Sequence, residues 1–122
     1  MESYRGGDVA ITVVESREPS RLCVSWSGRG NERDPRSTLA PFLRSIVDRA
    51  AEKNAVVELH CQGITYINSA TIGCVVDMIH RSEAAAVPLT LRYDRASGWQ
   101  KLSFEALRVL VKGASRLTVE AV

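Results

Sequence analysis

Gln62-Gly-Ile-Thr-Tyr-Ile-Asn-Ser-Ala-Thr-Ile-Gly-Cys-Val-Val-Asp-Met-Ile79 is the stretch of this chain that decides the fold. The apolar residues just before it predict a buried strand at 56–61, and the stretch itself opens with a short loop that ends at Asn68 and Ser69. Apolar residues then recur at helical spacing, which predicts a helix from Ser69 onward that buries Ile72, Val75, Val76 and Ile79. The Ser69 hydroxyl should therefore lie where unpaired backbone N–H groups and the positive end of the helix dipole meet.

Two roles are open to Ser69 at such a position. As a helix N-cap, its hydroxyl would satisfy a backbone N–H and stabilise the helix by about 1 kcal/mol relative to alanine. As a phosphorylation site, it would gain about −1.5 to −2 charges beside the loop and would repel an acidic partner. The two roles are compatible, so we expect the cap and keep phosphorylation as a hypothesis.

The same periodicities predict the rest of the fold. In order, the predicted elements are a strand at 9–15, a strand at 21–27, a helix from Ser37 or Thr38 to about Asn54, a strand at 55–61, the helix from Ser69, a strand at 89–93, a helix from a capping box at Ser97 to Gln100, and a short strand at 117–119. This β-β-α-β-α-β-α-β order predicts an α/β (α+β) fold with a mixed sheet. Right-handed crossovers would place the helices mainly on one face of that sheet.

Length and composition limit the function classes. The 122 residues, 45% of them hydrophobic, suit one domain over 1–122, and the polar start at 1–7 should be flexible. The formal charge of +2 lacks the basic excess of a nucleic-acid binder, and the sequence has no signal peptide or membrane span. The odd number of cysteines, all in apolar contexts, predicts a reducing compartment, so we expect a cytoplasmic protein with neither nucleic acid nor membrane as partner.

Catalytic and metal chemistry find little support in the residue spacing. His60 and Cys61 are adjacent on a strand and so point to opposite faces, and Cys74 and His80 lie nearly opposite each other on a helix. Zinc-type Cys or His pairs are absent from the sequence, and its glycines lack a nucleotide-binding spacing. We therefore expect no metal, no cofactor and no enzyme. A small enzyme that uses Cys61 or Cys74 with a distant histidine stays open as a remote alternative.

Three stretches of the sequence resemble one known family. They are Ser27-Gly-Arg-Gly30, the run from Val56 through Gly63-Ile-Thr-Tyr-Ile-Asn-Ser-Ala-Thr-Ile-Gly73, and the run from Ala106 to Val119. Together they resemble STAS domains, the fold of bacterial anti-sigma factor antagonists, over roughly residues 8–120. The middle stretch is the most specific, because it resembles the family's strand, loop and Asp-Ser-x-Gly-Leu-Gly helix start.

The resemblance implies a regulated protein–protein contact. The family's phosphorylated serine matches Ser69, and its second glycine matches Gly73, but Asn68, Thr71 and Ile72 stand where the family has Asp, Gly and Leu. In that family the unmodified protein binds its partner and the phosphate releases it. The implied partner is an anti-sigma factor of the histidine-kinase-like kind or another switch protein.

The candidate partner surface follows from the resemblance and from the outward face of the predicted helix. Its residues are Asn68, Ser69, Ala70, Thr71, Asp77, His80, Arg81 and Arg29. We expect a non-enzymatic regulatory module that docks a partner through the Ser69 loop and the helix after it. A scaffold or assembly subunit with the same fold and no phosphorylation cycle is the first alternative, and the sequence leaves a homodimer open.

Overall fold

The structure, a computed structural model, describes residues 2–122 and contains one six-stranded sheet in the order β1-β2-β3-β4-β5-β6. The elements in chain order are β1 (Glu2–Gly6), β2 (Asp8–Arg17), β3 (Ser20–Gly30), α1 (Pro35–Glu52), β4 (Val56–Ile67), α2 (Ser69–Ala84), β5 (Leu89–Tyr93), α3 (Gly98–Leu110) and β6 (Leu117–Ala121). The pairs β1/β2 and β2/β3 are antiparallel, whereas β3/β4, β4/β5 and β5/β6 are parallel. The predicted mixed α/β sheet is therefore confirmed.

All three helices cover one face of the sheet. Along the first half of β4 the buried side chains are Val57, Leu59 and Cys61, and the residues that alternate with them stay partly exposed on the other face. α3 lies on the same side as α1 and α2, because its Phe104 stacks on Tyr93 with ring centroids 5.9 Å apart. The opposite face of the sheet is open and polar, which makes it accessible from solvent.

The structure adds one strand ahead of the predicted elements. Residues 2–6, predicted from the sequence to be flexible, pair with β2 as the edge strand β1, and Met1 lies outside the described residues. The Tyr4 ring packs on Phe42 of α1 at 5.2 Å, and its hydroxyl donates to Glu32 at 2.7 Å. The mostly polar sequence of β1 carries no apolar alternation, so the strand is defined by these tertiary contacts.

β4 is longer than the sequence pattern predicts. Residues 62–67, expected as a loop, continue the strand to Ile67, and β3 continues beside it to Gly30. The pairing slips twice on the way, between Ser25 and Ser27 and again between Gly28 and Arg29. Irregular pairing of this kind strengthens the twist of the sheet and breaks the strict alternation of apolar residues. The alternation in the sequence therefore ends before the strand does.

Helix ends follow local sequence signals with small shifts. α1 begins at Pro35, earlier than the expected Ser37 or Thr38, and Asn54, two residues after its last residue Glu52, has a positive φ of 52°, consistent with the predicted end. Ser97 caps α3 as expected, with its hydroxyl accepting from the Gln100 N–H at 3.4 Å. The Gln100 side chain instead donates to backbone carbonyls of β4, so the second half of the capping box is not formed.

Within residues 2–122, none of the helices has the length and apolar character needed to cross a membrane.

Candidate functional site

The site is built where β3 and β4 end and α2 begins. The backbone N–H of Asn68 donates to the Gly30 carbonyl at 2.8 Å, which fixes the start of α2 against the end of β3. A Cβ at Gly30 would lie 3.1 Å from Ile67 and 3.2 Å from Thr71, closer than ordinary contacts allow. Glycine at this position therefore permits the close approach that holds the start of α2, residues 68–71, at the carboxyl ends of the central strands β3 and β4. We call these four residues the α2 tip.

Asn68, and not Ser69, is the N-cap of α2. The Asn68 Oδ1 accepts from the Thr71 N–H at 2.9 Å and from the Thr71 hydroxyl at 2.6 Å. Its side-chain amide donates to the Glu32 carbonyl at 3.1 Å. The expected Ser69 cap is therefore wrong, because the amide one residue earlier already satisfies the helix N–H and also ties the tip to the β3–α1 loop.

Ser69 occupies the first helical position and is exposed to solvent. α2 has no acidic residue in its first turn, so the positive end of its dipole is not neutralised locally. An exposed hydroxyl at such a place is open to a modifying enzyme, and an added phosphate would meet a favourable field.

Thr71 is not available to a partner. It is 1% exposed, and its hydroxyl donates to Asn68 within the tip, with the Gly30 carbonyl 3.3 Å away. The sequence predicts Thr71 on the outward face of the helix, and its burial in the structure corrects this prediction. The buried face of α2 is shifted from the predicted one and consists of Thr71, Cys74, Val75, Met78, Ile79 and Ser82, while Ile72 and Val76 are only partly buried.

The other candidates lie along one exposed side of α2. Ala70, His80 and Arg81 are exposed, and Asp77 is partly exposed. Arg81 forms a two-point contact with Asp48 of α1 at 3.0 and 2.9 Å, and the hydrogen bond to this carboxylate raises the pKa of Arg81. We call the set Ser69, Ala70, Asp77, His80 and Arg81 the docking side of α2.

Arg29 stands at the end of β3, beside the tip. Its guanidinium carbon lies 5.2 Å from the centroid of the Tyr66 ring, and these two residues are register partners on β3 and β4. Such cation–π contacts are worth about 0.5–1 kcal/mol at exposed sites. Because Tyr66 is 44% exposed, this pair is an amphipathic surface feature close to the start of α2.

Arg36 of α1 also belongs to the site, although the sequence does not predict its place there. Its Nη1 contacts the Asp77 carboxylate at 3.1 Å. Its Nη2 would lie 3.4 Å from a Cβ added at Gly73, so the guanidinium rests over the helix one turn after Ser69. The sequence does not predict this contact, because Arg36 comes from another helix and lies 41 residues before Asp77.

The two cysteines named in the enzyme alternative are poor nucleophiles. Cys61 and Cys74 are both 1% exposed. Burial raises the pKa of each thiol, and for Cys61 the shift is large. His60 points to the opposite face from Cys61, as the strand alternation predicted.

The comparisons with known proteins identify the fold. The chain is similar to a chain in the crystal structure of the diguanylate cyclase SiaD in complex with its activator SiaC from Pseudomonas aeruginosa, with a TM-score of 0.69, 20% identity and full coverage of both chains. It is also similar to an uncharacterised protein of the DUF3478 family from Shewanella loihica PV-4 that has a SpoIIAA-like fold, with a TM-score of 0.54, 12% identity and coverage of 98% of this chain and 91% of that one. Family models and curated protein sequences give no match. The chain therefore has a SpoIIAA-like fold, that of STAS anti-sigma factor antagonists, as the sequence predicted.

Proposed function

We propose that this chain is a regulatory module that binds a partner protein through the α2 tip and the docking side of α2, and that phosphorylation of Ser69 switches this contact. The main support for the proposal is that two adjacent residues of the α2 tip have separate roles. Asn68 caps the helix, and Ser69 beside it stays exposed. Because the structural task belongs to Asn68, the Ser69 hydroxyl can be modified without loss of the cap.

The asparagine at position 68 is explained by local structure. An aspartate could accept from the Thr71 N–H equally well, but it could not donate to the Glu32 carbonyl, as the Asn68 amide does at 3.1 Å. The difference from the family pattern therefore has a structural explanation, the tie between the α2 tip and the β3–α1 loop.

Arg36 supplies a physical mechanism for the switch. The Arg36–Asp77 ion pair is exposed, with side-chain accessibilities of 65% and 45%, and pairs of this kind contribute about 0–1 kcal/mol. A phosphate on Ser69 carries more charge than the Asp77 carboxylate and lies one helical turn before the Arg36 guanidinium. The phosphate would draw Arg36 away from Asp77. The docking side of α2, which is close to neutral before modification, would then carry two anionic groups, the phosphate and the Asp77 carboxylate.

We expect the partner to be an enzyme or regulator whose own activity changes when this chain binds it. The whole-length similarity to a chain of the SiaD–SiaC complex supports a diguanylate cyclase as the first partner to test. A histidine-kinase-like anti-sigma factor is the second, because anti-sigma factor antagonists share this fold. Both would be met in the cytoplasm, the compartment that the sequence predicts.

The experiment uses a serine kinase and a diguanylate cyclase from the genome that encodes this chain. Incubation with the kinase and ATP should add one phosphate to the protein, mapped to Ser69 by mass spectrometry. Ser69→Ala should abolish the addition. Ser37→Ala is the matched control, since Ser37 is also exposed in the first turn of a helix. Partner binding without phosphorylation would replace the switch by the scaffold alternative, and the absence of binding to either partner class would overturn the proposal.

A further inference from the structure

The open face of the sheet brings together three metal-ligating side chains that the proposed switch does not use. Cys23 of β3 and Glu58 of β4 are register partners, and His60 follows Glu58 on the same face because strand residues alternate. One ligand atom from each residue lies within 4.8 Å of the other two. We propose that these three residues bind a transition-metal ion of the zinc class, independently of the Ser69 surface.

The distances suit a tetrahedral ion. The His60 Nε2 lies 3.4 Å from the Glu58 Oε1. Two nitrogen or oxygen ligands at about 2.0–2.1 Å from a tetrahedral zinc are separated by about 3.3–3.4 Å. The Cys23 sulfur lies within 4.8 Å of both atoms and supplies the third ligand, and the partial exposure of all three residues leaves the fourth position to solvent. Three protein ligands with one open position is the arrangement of zinc sites that hold a water or a small ligand.

The donor set selects the metal. A thiol, an imidazole and a carboxylate favour zinc over magnesium and calcium, which take oxygen ligands. On binding, the Cys23 thiol gives up its proton to solvent, and the thiolate and the Glu58 carboxylate together balance the charge of a divalent ion. All three side chains are partly accessible, so the ion can enter without opening the core.

Two arginines already contact Glu58, and their geometry assigns its two oxygens different roles. Arg21 Nη1 lies 3.0 Å from Oε2, on the side away from His60, and would stay there to orient the carboxylate. Arg92 Nη1 lies 3.3 Å from Oε1, the oxygen that would bind the metal. Arg92 also holds Glu120 at 2.6 Å, so it keeps an anionic partner when the metal displaces it from Glu58.

Cobalt(II) is the spectroscopic probe, since it replaces zinc in such sites and a thiolate ligand gives it a near-ultraviolet charge-transfer band. We expect the full-length protein to bind one Co²⁺ with this band, and Zn²⁺ to displace it. Cys23→Ser should abolish the band, and His60→Gln should weaken Zn²⁺ binding by at least about tenfold, measured by competition with a chromophoric chelator. Arg92→Gln should strengthen binding, because it removes a competing cation.

The chain offers matched controls in its other thiols and its other imidazole. Cys74→Ala and His80→Gln remove a buried thiol and an exposed imidazole elsewhere, and both should leave the Co²⁺ band unchanged. A band that persists in Cys23→Ser, or a Zn²⁺ affinity that is unchanged in His60→Gln, would show an adventitious ion only and would overturn the proposal. Circular dichroism of each variant checks folding, and Glu58→Gln replaces any variant that fails to fold.

Discussion

Replacing Asn68 with alanine should destabilise the protein far more than the same replacement at Ser69. Loss of the cap to the Thr71 N–H costs about 1 kcal/mol. Loss of the hydrogen bond from the Asn68 amide to the Glu32 carbonyl costs about another 1 kcal/mol, because that bond is partly buried. Asn68→Ala should therefore lower the free energy of unfolding by about 2 kcal/mol, which in a domain of this size lowers Tm by about 8 °C.

Urea unfolding followed by circular dichroism measures this difference directly. Ser69→Ala should stay within about 0.5 kcal/mol of wild type, since Ser69 is exposed and alanine favours the helix. Asn68→Asp separates the two contacts, because it keeps the cap and loses only the donor to Glu32, so about half of the loss should return. If Ser69→Ala costs as much as Asn68→Ala, the assignment of the cap is refuted.

Three further predictions concern other parts of the molecule. Arg36→Gln should leave stability within about 0.5 kcal/mol of wild type in urea unfolding, because the ion pair it removes is exposed; a larger loss would mean that Arg36 cannot move freely to a phosphate. Hydrogen bonds from the Ser115 side chain and the Arg116 backbone lower the pKa of Glu83. The stabilisation that these hydrogen bonds give is present at neutral pH and is lost as pH falls through the lowered pKa of Glu83. Glu83→Gln should therefore reduce the dependence of Tm on acid pH, and an unchanged dependence would contradict this. A thiol reagent should label Cys23 before Cys61 and Cys74, which are buried, and peptide mapping that finds Cys61 modified first would refute their assignment to the core.

The sequence predicts most of the fold because periodicity reports burial against one covered face. The strands at 89–93 and 117–119 and the helix after Ser97 all appear where alternation or helical spacing places them. β1 could not be predicted, because its polar residues are held by pairing with β2 and by contacts to α1. The stretch 62–67 was predicted as a loop for a related reason, since irregular pairing with β3 interrupts its pattern.

The candidate site was predicted in part. The exposure of Ser69 at a helix start follows from the sequence, but the choice of Asn68 as cap depends on the Glu32 carbonyl, which only the tertiary structure brings near. The contact of Arg36 with α2 and the grouping of Cys23 with Glu58 and His60 could not be predicted, because each depends on elements that meet across long sequence separations. Short-range spacing detects ligands on one element and cannot detect ligands that two elements share.

Calorimetric titration of the unmodified and the Ser69-phosphorylated protein into the purified partner measures the effect of the proposed switch. One phosphate should weaken binding by at least about tenfold, equivalent to about 1.4 kcal/mol, while Tm stays close to that of the unmodified protein. Equal affinities for the two forms would contradict the switch and would leave Ser69 as an ordinary exposed residue of the helix.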